Sequence, residues 1–203
     1  MAVSLDAFRR YYGKGGPAWS YERQSLIRLR PIAGDEAFGR EILGLRDELV
    51  YDGDPPDPAS VRAMRERQVR QLVTGGTFNL KFSPGGLVDV EYLVQNLQMR
   101  HGHIDASLRT PNTREAMDAL AAAGILRLGD RDRLRDAQAV LRRLIEALRV
   151  ARGHATDVTM PARGSEELGS LARRMSASPD GGTLWEDLRA ASAAVRELNA
   201  RLL

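Results

Sequence analysis

Apolar residues recur along this chain at three- and four-residue steps, the spacing that lines up one face of an α-helix. Leu5, Phe8 and Tyr12 predict a short helix from Leu5 to Tyr12. Gly13-Lys14-Gly15-Gly16-Pro17 breaks it, as a loop rather than a Walker motif, because no Gly-Lys-Ser/Thr follows. Trp19, Leu26 and Leu29 predict a buried face on a helix from Ala18 to Ile32, which Pro31 kinks or ends. Asp35 is placed to cap a helix continuing to Val50, with Phe38, Ile42, Leu45 and Leu49 inward. A turn-rich break over Tyr51 to Pro58 leads to a helix from Ser60 to Val73, with Val61, Met64, Val69 and Leu72 inward.

The stretch from Asn79 to Arg100 carries the sharpest local signal. It reads as a short extended piece, a Ser83-Pro84-Gly85-Gly86 turn, and an amphipathic helix from Gly86 or Leu87 whose Leu87, Val90, Leu93, Val94 and Leu97 form the core stripe. Beyond it, His101-Gly102-His103 marks a turn, and Thr110-Pro111-Asn112-Thr113 opens a helix through Ala123 that Gly124 closes. Asp130 to Gly153 is the longest helix, with Leu134, Ala137, Leu141, Leu144, Ile145 and Leu148 inward. Helices from Ser165 to Met175 and from Thr183 to Leu203 follow, joined by Ser178-Pro179-Asp180-Gly181-Gly182; in the second, Leu184, Leu188, Ala191, Val195, Leu198 and Leu202 face inward. The pattern predicts an all-α fold, about eight helices with short connections in an up-and-down bundle. It reads as one domain over 1–203: an N-terminal helix and loop over 1–17, a bundle over 18–155 and C-terminal helices over 156–203.

Composition agrees with that picture. Hydrophobic residues make up 43% and charged residues 28% of 203, and only 5% are aromatic, which suits helices in an ordinary globular protein. No run is long enough to span a membrane and the N-terminus has no apolar signal core, so a cytoplasmic location and no membrane partner are expected. There is no cysteine and the net charge is +3. Of 30 basic residues only Lys14 and Lys81 are lysine. Arginines spread among 27 acidic residues suit ion-paired helix faces better than a nucleic-acid groove, so no nucleic-acid partner is expected. Two histidines one residue apart with only His154 elsewhere make a poor zinc set, and no metal site is expected in this chain.

Candidate chemistry gathers at the glycine turn. Pro84 fixes its own φ, and Gly85 and Gly86 leave the backbone unshielded by any β-carbon, so the turn is expected to present bare amides. With Lys81 and Ser83 these glycines could cradle an anion or phosphate at a helix N-terminus. Asp89 sits in the first turn, where a carboxylate also stabilises the helix end. Asp89 and Glu91 are about 200° apart on a helix and cannot jointly grip one metal ion. In a chain that nearly always chooses arginine, Lys81 points to a need for a compact ammonium.

Lys81, Pro84-Gly85-Gly86, Asp89, Glu91 and Gln95 resemble the Lys-x-x-Pro-Gly-Gly-Ile-Arg-Asp-Ile-Glu-Phe-x-x-Gln signature of the glutamine synthetase adenylyltransferase family. The signature belongs to the helical domain that follows the nucleotidyltransferase domain, and is similar to the equivalent region of the PII uridylyltransferases. Trp19, Glu22-Arg23, Leu26-Ile27 and the run Arg28 to Asp35 resemble a second block of that family. Leu108-Arg109, Thr113, Ala116, Leu120 and Gly124 resemble a third. Val88 stands where the family usually has arginine, removing a guanidinium three residues before Glu91.

The resemblance implies AMP transfer from ATP to a glutamine synthetase tyrosine, or its removal, with magnesium held by carboxylates of the preceding domain. Asp52 and Asp54 imitate an Asp-x-Asp metal pair, but the family's pair lies on a strand after a Gly-Ser turn, and neither context occurs here. No catalytic residue and no bound cofactor are therefore expected in this chain by itself. Its implied role is one wall of a cleft beside a catalytic domain in the same or a separate chain. Lys81, Ser83, Gly85 and Gly86 would face a nucleotide or anion, with Asp89, Glu91, Gln95, Glu22, Arg23, Arg28 and Arg30 as supporting polar groups. Glutamine synthetase and PII are the implied protein partners. The alternative is a stand-alone helical interaction module without catalysis, which Val88 favours.

Overall fold

A computed structural model describes residues 3–51, 55–154, 156–175 and 181–203. Among these residues the chain is all-α, a helical bundle whose nine α-helices are α1 (Leu5–Tyr12), α2 (Ser20–Ser25), α3 (Glu36–Val50), α4 (Pro58–Leu72), α5 (Leu87–His101), α6 (Thr113–Ala122), α7 (Leu128–Arg152), α8 (Glu166–Arg174) and α9 (Gly182–Leu202). Asp52 and Asp54, and the Ser178 to Asp180 part of the turn before α9, lie outside the described residues.

Caps set most boundaries where the sequence places them. Asp35 accepts from the Phe38 amide at 2.7 Å, Asn112 caps α6 and Ser165 caps α8. The second helix is shorter than predicted: α2 stops at Ser25 and a 3-10 turn over Leu26–Arg28 ends it, well before Pro31. The extended piece before the glycine turn shrinks to a single antiparallel bridge between Asn79 and Thr159.

The chain forms two compact units, neither continuous in sequence: Met1–Arg62 with Val94–Arg127, and Ala63–Leu93 with Leu128–Leu203. Their limits differ from the consecutive stretches 1–17, 18–155 and 156–203, because α4 and α5 each begin in one unit and end in the other.

In the first unit Leu26, Ile27, Leu45, Leu49, Val50, Tyr51 and Met99 form a core, against which Leu5, Phe8 and Tyr12 of α1 pack. Two residues predicted for the core of this unit are exposed. Trp19 is 67% exposed, because it precedes α2 as its N-cap and stacks on Tyr21 instead of turning inward. Phe38 is 52% exposed, because it sits in the first turn of α3, ahead of the stretch that reaches the core.

In the second unit α7 packs along α9 and α8. All six residues predicted to face inward on α7 are buried, as are Leu184, Leu188, Ala191, Val195 and Leu198 on α9. On α4 the predicted Leu72 is exposed, while Arg65 and Gln68 turn inward. Helix α5, whose residues up to Leu93 belong to this unit and the rest to the first, is not amphipathic in the predicted sense: Val88 and Met99, off the expected stripe, are buried, and so are Glu91, Gln95, Asn96 and Gln98. A helix covered nearly all round must satisfy its polar side chains internally. Gln98 does so by donating to the carbonyls of Leu108 and Thr110 at 2.6 and 2.9 Å.

Candidate functional site

The loop from Phe78 to Gly86 is held from within. Asn79 Oδ1 accepts from the amides of Lys81 and Phe82, both at 3.0 Å, an Asx arrangement that folds the chain back on itself. The Ser83 hydroxyl is buried and accepts from the Asn79 amide at 2.8 Å. The loop is fastened to the segment before α8 by Leu80 N–H to Val158 O at 3.0 Å and Met160 N–H to Phe78 O at 2.8 Å.

The expectation of bare amides is corrected here. The Gly85 amide donates to Asp89 Oδ2 at 2.7 Å, Gly86 to Ser83 O at 2.8 Å, Leu87 to Leu80 O at 2.9 Å and Val88 to Lys81 O at 3.1 Å. The donors that a helix N-terminus would offer an anion are thus taken by the loop's own carbonyls and by Asp89. Gly85 has φ +81°, and a β-carbon there would lie 2.5 Å from the Ser192 carbonyl oxygen of α9. Ser192 also donates its hydroxyl to Pro84 O at 3.1 Å. The glycine is required because α9 closes over the turn.

Asp89 is accordingly more than a helix-end charge. Its second oxygen, Oδ1, accepts from Arg65 Nε at 2.6 Å, and Arg65 also donates to Phe82 O at 3.2 Å and to Gln68 Oε1 at 3.1 Å. Asn199 of α9 donates to the Asp89 carbonyl at 3.4 Å. Arg65, Asn79, Ser192 and Asn199 complete the turn, and the sequence reading does not single them out. Four-residue spacing from Val61 marks Arg65 as inward-facing on α4, but 28 arginines hide it.

Lys81 is half-buried, with its ammonium 5.1 Å from the centre of the Phe82 ring. Among the described residues no carboxylate pairs with it. Glu91, nine-tenths buried, lies 3.8 Å from Arg142 of α7. Val88 is buried, and a guanidinium approaches Glu91 from Arg142 on another helix.

The remaining predicted residues belong to the first unit. Gln95 accepts from Gln24 Nε2 at 2.8 Å in a buried contact. Glu22 is a cap: one oxygen accepts from the Trp19 amide at 2.7 Å, the other from the Tyr11 hydroxyl at 3.2 Å. That carboxylate pushes the Tyr11 phenol above its ordinary pKa. Arg23 is half-buried and Arg28 and Arg30 are exposed. Among the described residues no group of three or more His, Asp or Glu side chains could hold a metal ion. No helix among them is long and apolar enough to cross a membrane.

The chain is similar to known proteins over the stretch that contains this loop. The profile of the GlnD PII-uridylyltransferase family matches residues 59–203, which include the whole turn. Curated relatives named bifunctional glutamine synthetase adenylyltransferase/adenylyl-removing enzyme are similar over most of the chain. That of Cutibacterium acnes is 35% identical, covering 78% of this chain and 16% of the relative. That of Streptomyces avermitilis is 34% identical, covering 92% and 19%. That of Nocardia farcinica is 34% identical, covering 100% and 21%. The chain thus spans about a fifth of the length of the curated relatives it matches. With the family profile matched over most of its length and its glycine turn built as a closed structural unit, the chain belongs to the GlnD PII-uridylyltransferase family, its relatives being the bifunctional glutamine synthetase adenylyltransferases/adenylyl-removing enzymes.

Proposed function

We propose that this chain is the helical domain of a glutamine synthetase adenylyltransferase/deadenylylase, forming part of the cleft beside a nucleotidyltransferase domain in the same or a separate chain. The catalytic domain would hold ATP and magnesium and carry out the transfer to, or removal from, a glutamine synthetase tyrosine. Lys81 would face the nucleotide's phosphates or another anionic group. Ser83, Gly85, Gly86 and Asp89 would hold it in place rather than bind the anion themselves. The observation that carries this reading is the ammonium itself: it rides on a rigid, internally satisfied loop, yet no carboxylate among the described residues neutralises it. A built-in cation left without a counter-charge is suited to a charge brought by a partner.

The test joins this chain to its catalytic domain and compares Lys81→Ala with the parent in transfer of AMP to glutamine synthetase. A drop of about tenfold or more is expected for a lost charge-assisted contact. Unchanged transfer would remove Lys81 from the cleft. A second reading, a helical interaction module that binds glutamine synthetase or PII without supporting catalysis, is favoured by the buried Val88 in the position of the family's arginine. Binding of glutamine synthetase with no effect on transfer would select it.

A further inference from the structure

We infer that Arg65 is a positioning residue for Lys81. Its guanidinium meets the loop that carries the ammonium once directly and once through Asp89 of α5. On one side it donates to the carbonyl of Phe82, the residue next to Lys81, at 3.2 Å. On the other it holds Asp89 at 2.6 Å, and Asp89 holds the Gly85 amide at 2.7 Å. A third donor meets Gln68, whose amide nitrogen donates in turn to the Tyr92 hydroxyl at 3.3 Å. The planar fork is thus oriented at three places, and both charged side chains are largely buried, at 12% and 19% exposure. Arg65 and Asp89 together span the loop from Phe82 to Gly85, so Arg65 adds to the internal bonds of Asn79 and Ser83 an anchor from α4 at the residue next to Lys81.

Geometry makes arginine specific at this place. A lysine ammonium is a single point that can reach the carboxylate or the carbonyl, whereas the guanidinium serves both at once. Charge alone therefore does not supply the function. The meaning of this latch for AMP transfer rests on the reading of Lys81 as an anion-facing group. The latch itself does not, and the two can fail separately.

The experiment uses the 203-residue chain and two readouts. The first is residue-resolved hydrogen exchange at Gly85, with the interior amides of α5 at Leu93 and Val94 as reference. The second is amine labelling of Lys81 relative to Lys14, read by mass spectrometry, since these are the only native lysines. In Arg65→Lys and Arg65→Gln, exchange at Gly85 should rise about tenfold, the loss of one hydrogen bond, while Leu93 and Val94 keep their protection. Labelling of Lys81 should rise about threefold over Lys14 as its loop is released. Either folded variant with Gly85 exchange and Lys81 labelling both at parental values overturns the proposal. So does uniform loss of protection across α5 in both, because Arg65 would then hold the helices together rather than aim the loop. Loss of activity in Lys81→Ala bears on the proposed function alone.

Discussion

Arg65 and Asp89 meet at 2.6 Å, and the Asp89 carboxylate is divided between Arg65 and the Gly85 amide, one oxygen accepting from each. An asparagine has one acceptor oxygen and one donor nitrogen, so it can serve the guanidinium or the amide but not both. Breaking a fully buried pair costs about 3–5 kcal/mol. Because this one keeps some exposure, Asp89→Asn is expected to lower stability by about 2 kcal/mol, read as a shift in urea midpoint at unchanged slope. A loss under about 0.5 kcal/mol, the level of ordinary surface changes, would show that Asp89 is only a helix-end charge.

Gly85→Ala combines a left-handed backbone with a collision. The conformation costs a non-glycine residue about 1 kcal/mol, and the Ser192 carbonyl leaves the new methyl no room. A total of about 2–4 kcal/mol is expected. Ser192→Ala should not rescue it, since the obstructing oxygen is backbone as well as side chain. Rescue by that second change would place the conflict at the hydroxyl instead.

Tyr51 carries a pH dependence. Burial pushes its phenol up to about 12, against the opposing pull of Arg46 and Arg109, and Arg109 lies 5.4 Å from the ring centre. The folded value exceeds the unfolded one of about 10, so the resulting stabilisation is fully present below pH 10 and lost as pH rises towards 12. Tyr51→Phe should flatten that alkaline limb. The hydroxyl has no hydrogen-bond partner among the described residues, so the variant should also gain about 1 kcal/mol at neutral pH. An alkaline limb identical in parent and variant contradicts the assignment.

The exposed apolar residues of the first unit give a contrasting pair. Ile32 is 89% exposed and Phe38 52%, so Ile32→Ser and Phe38→Ser should each change stability by about 0.5 kcal/mol or less. Leu45→Ala, at a site 4% exposed, should cost about 3 kcal/mol. Thermal denaturation of the three variants decides it. A large loss from Phe38→Ser would return that side chain to the core.

Acid stability should depend on Asp157, whose carboxyl is held below its ordinary range by hydrogen bonds from Thr159, with Arg152 adding to the effect. Its depressed folded value means that the stabilisation is present above about pH 4 and is lost as pH falls further. Asp157→Asn should therefore weaken the chain at neutral pH and narrow its difference from the parent at pH 2 to 3. Equal stability of the two at pH 7 would remove Asp157 from the bridge that anchors Asn79.

Helices, their caps and the glycine turn were legible because each depends on residues within one or two turns of itself. Spacing places the core of α7 and α9, Asp35 declares its helix, and Pro-Gly-Gly marks a break before α5. Partners distant in sequence were not legible. Nothing local in the turn tells that Ser192, 107 positions after Gly85, seals it, or that Arg65 rather than any other arginine reaches Asp89. The same limit explains Trp19 and Phe38, apolar residues whose spacing is correct but whose helix ends do not reach the core.

The sequence by itself thus determined an all-α chain, the placement of its helices and the family signature around Lys81, since periodicity, capping and motif are written in consecutive residues. Only the tertiary structure decided that the turn's amides are already bonded, that α5 is buried nearly all round, and that Arg65 ties the loop to α4. Whether a backbone donor is free depends on which distant carbonyl or carboxylate folds against it, and that is a property of packing rather than of local order.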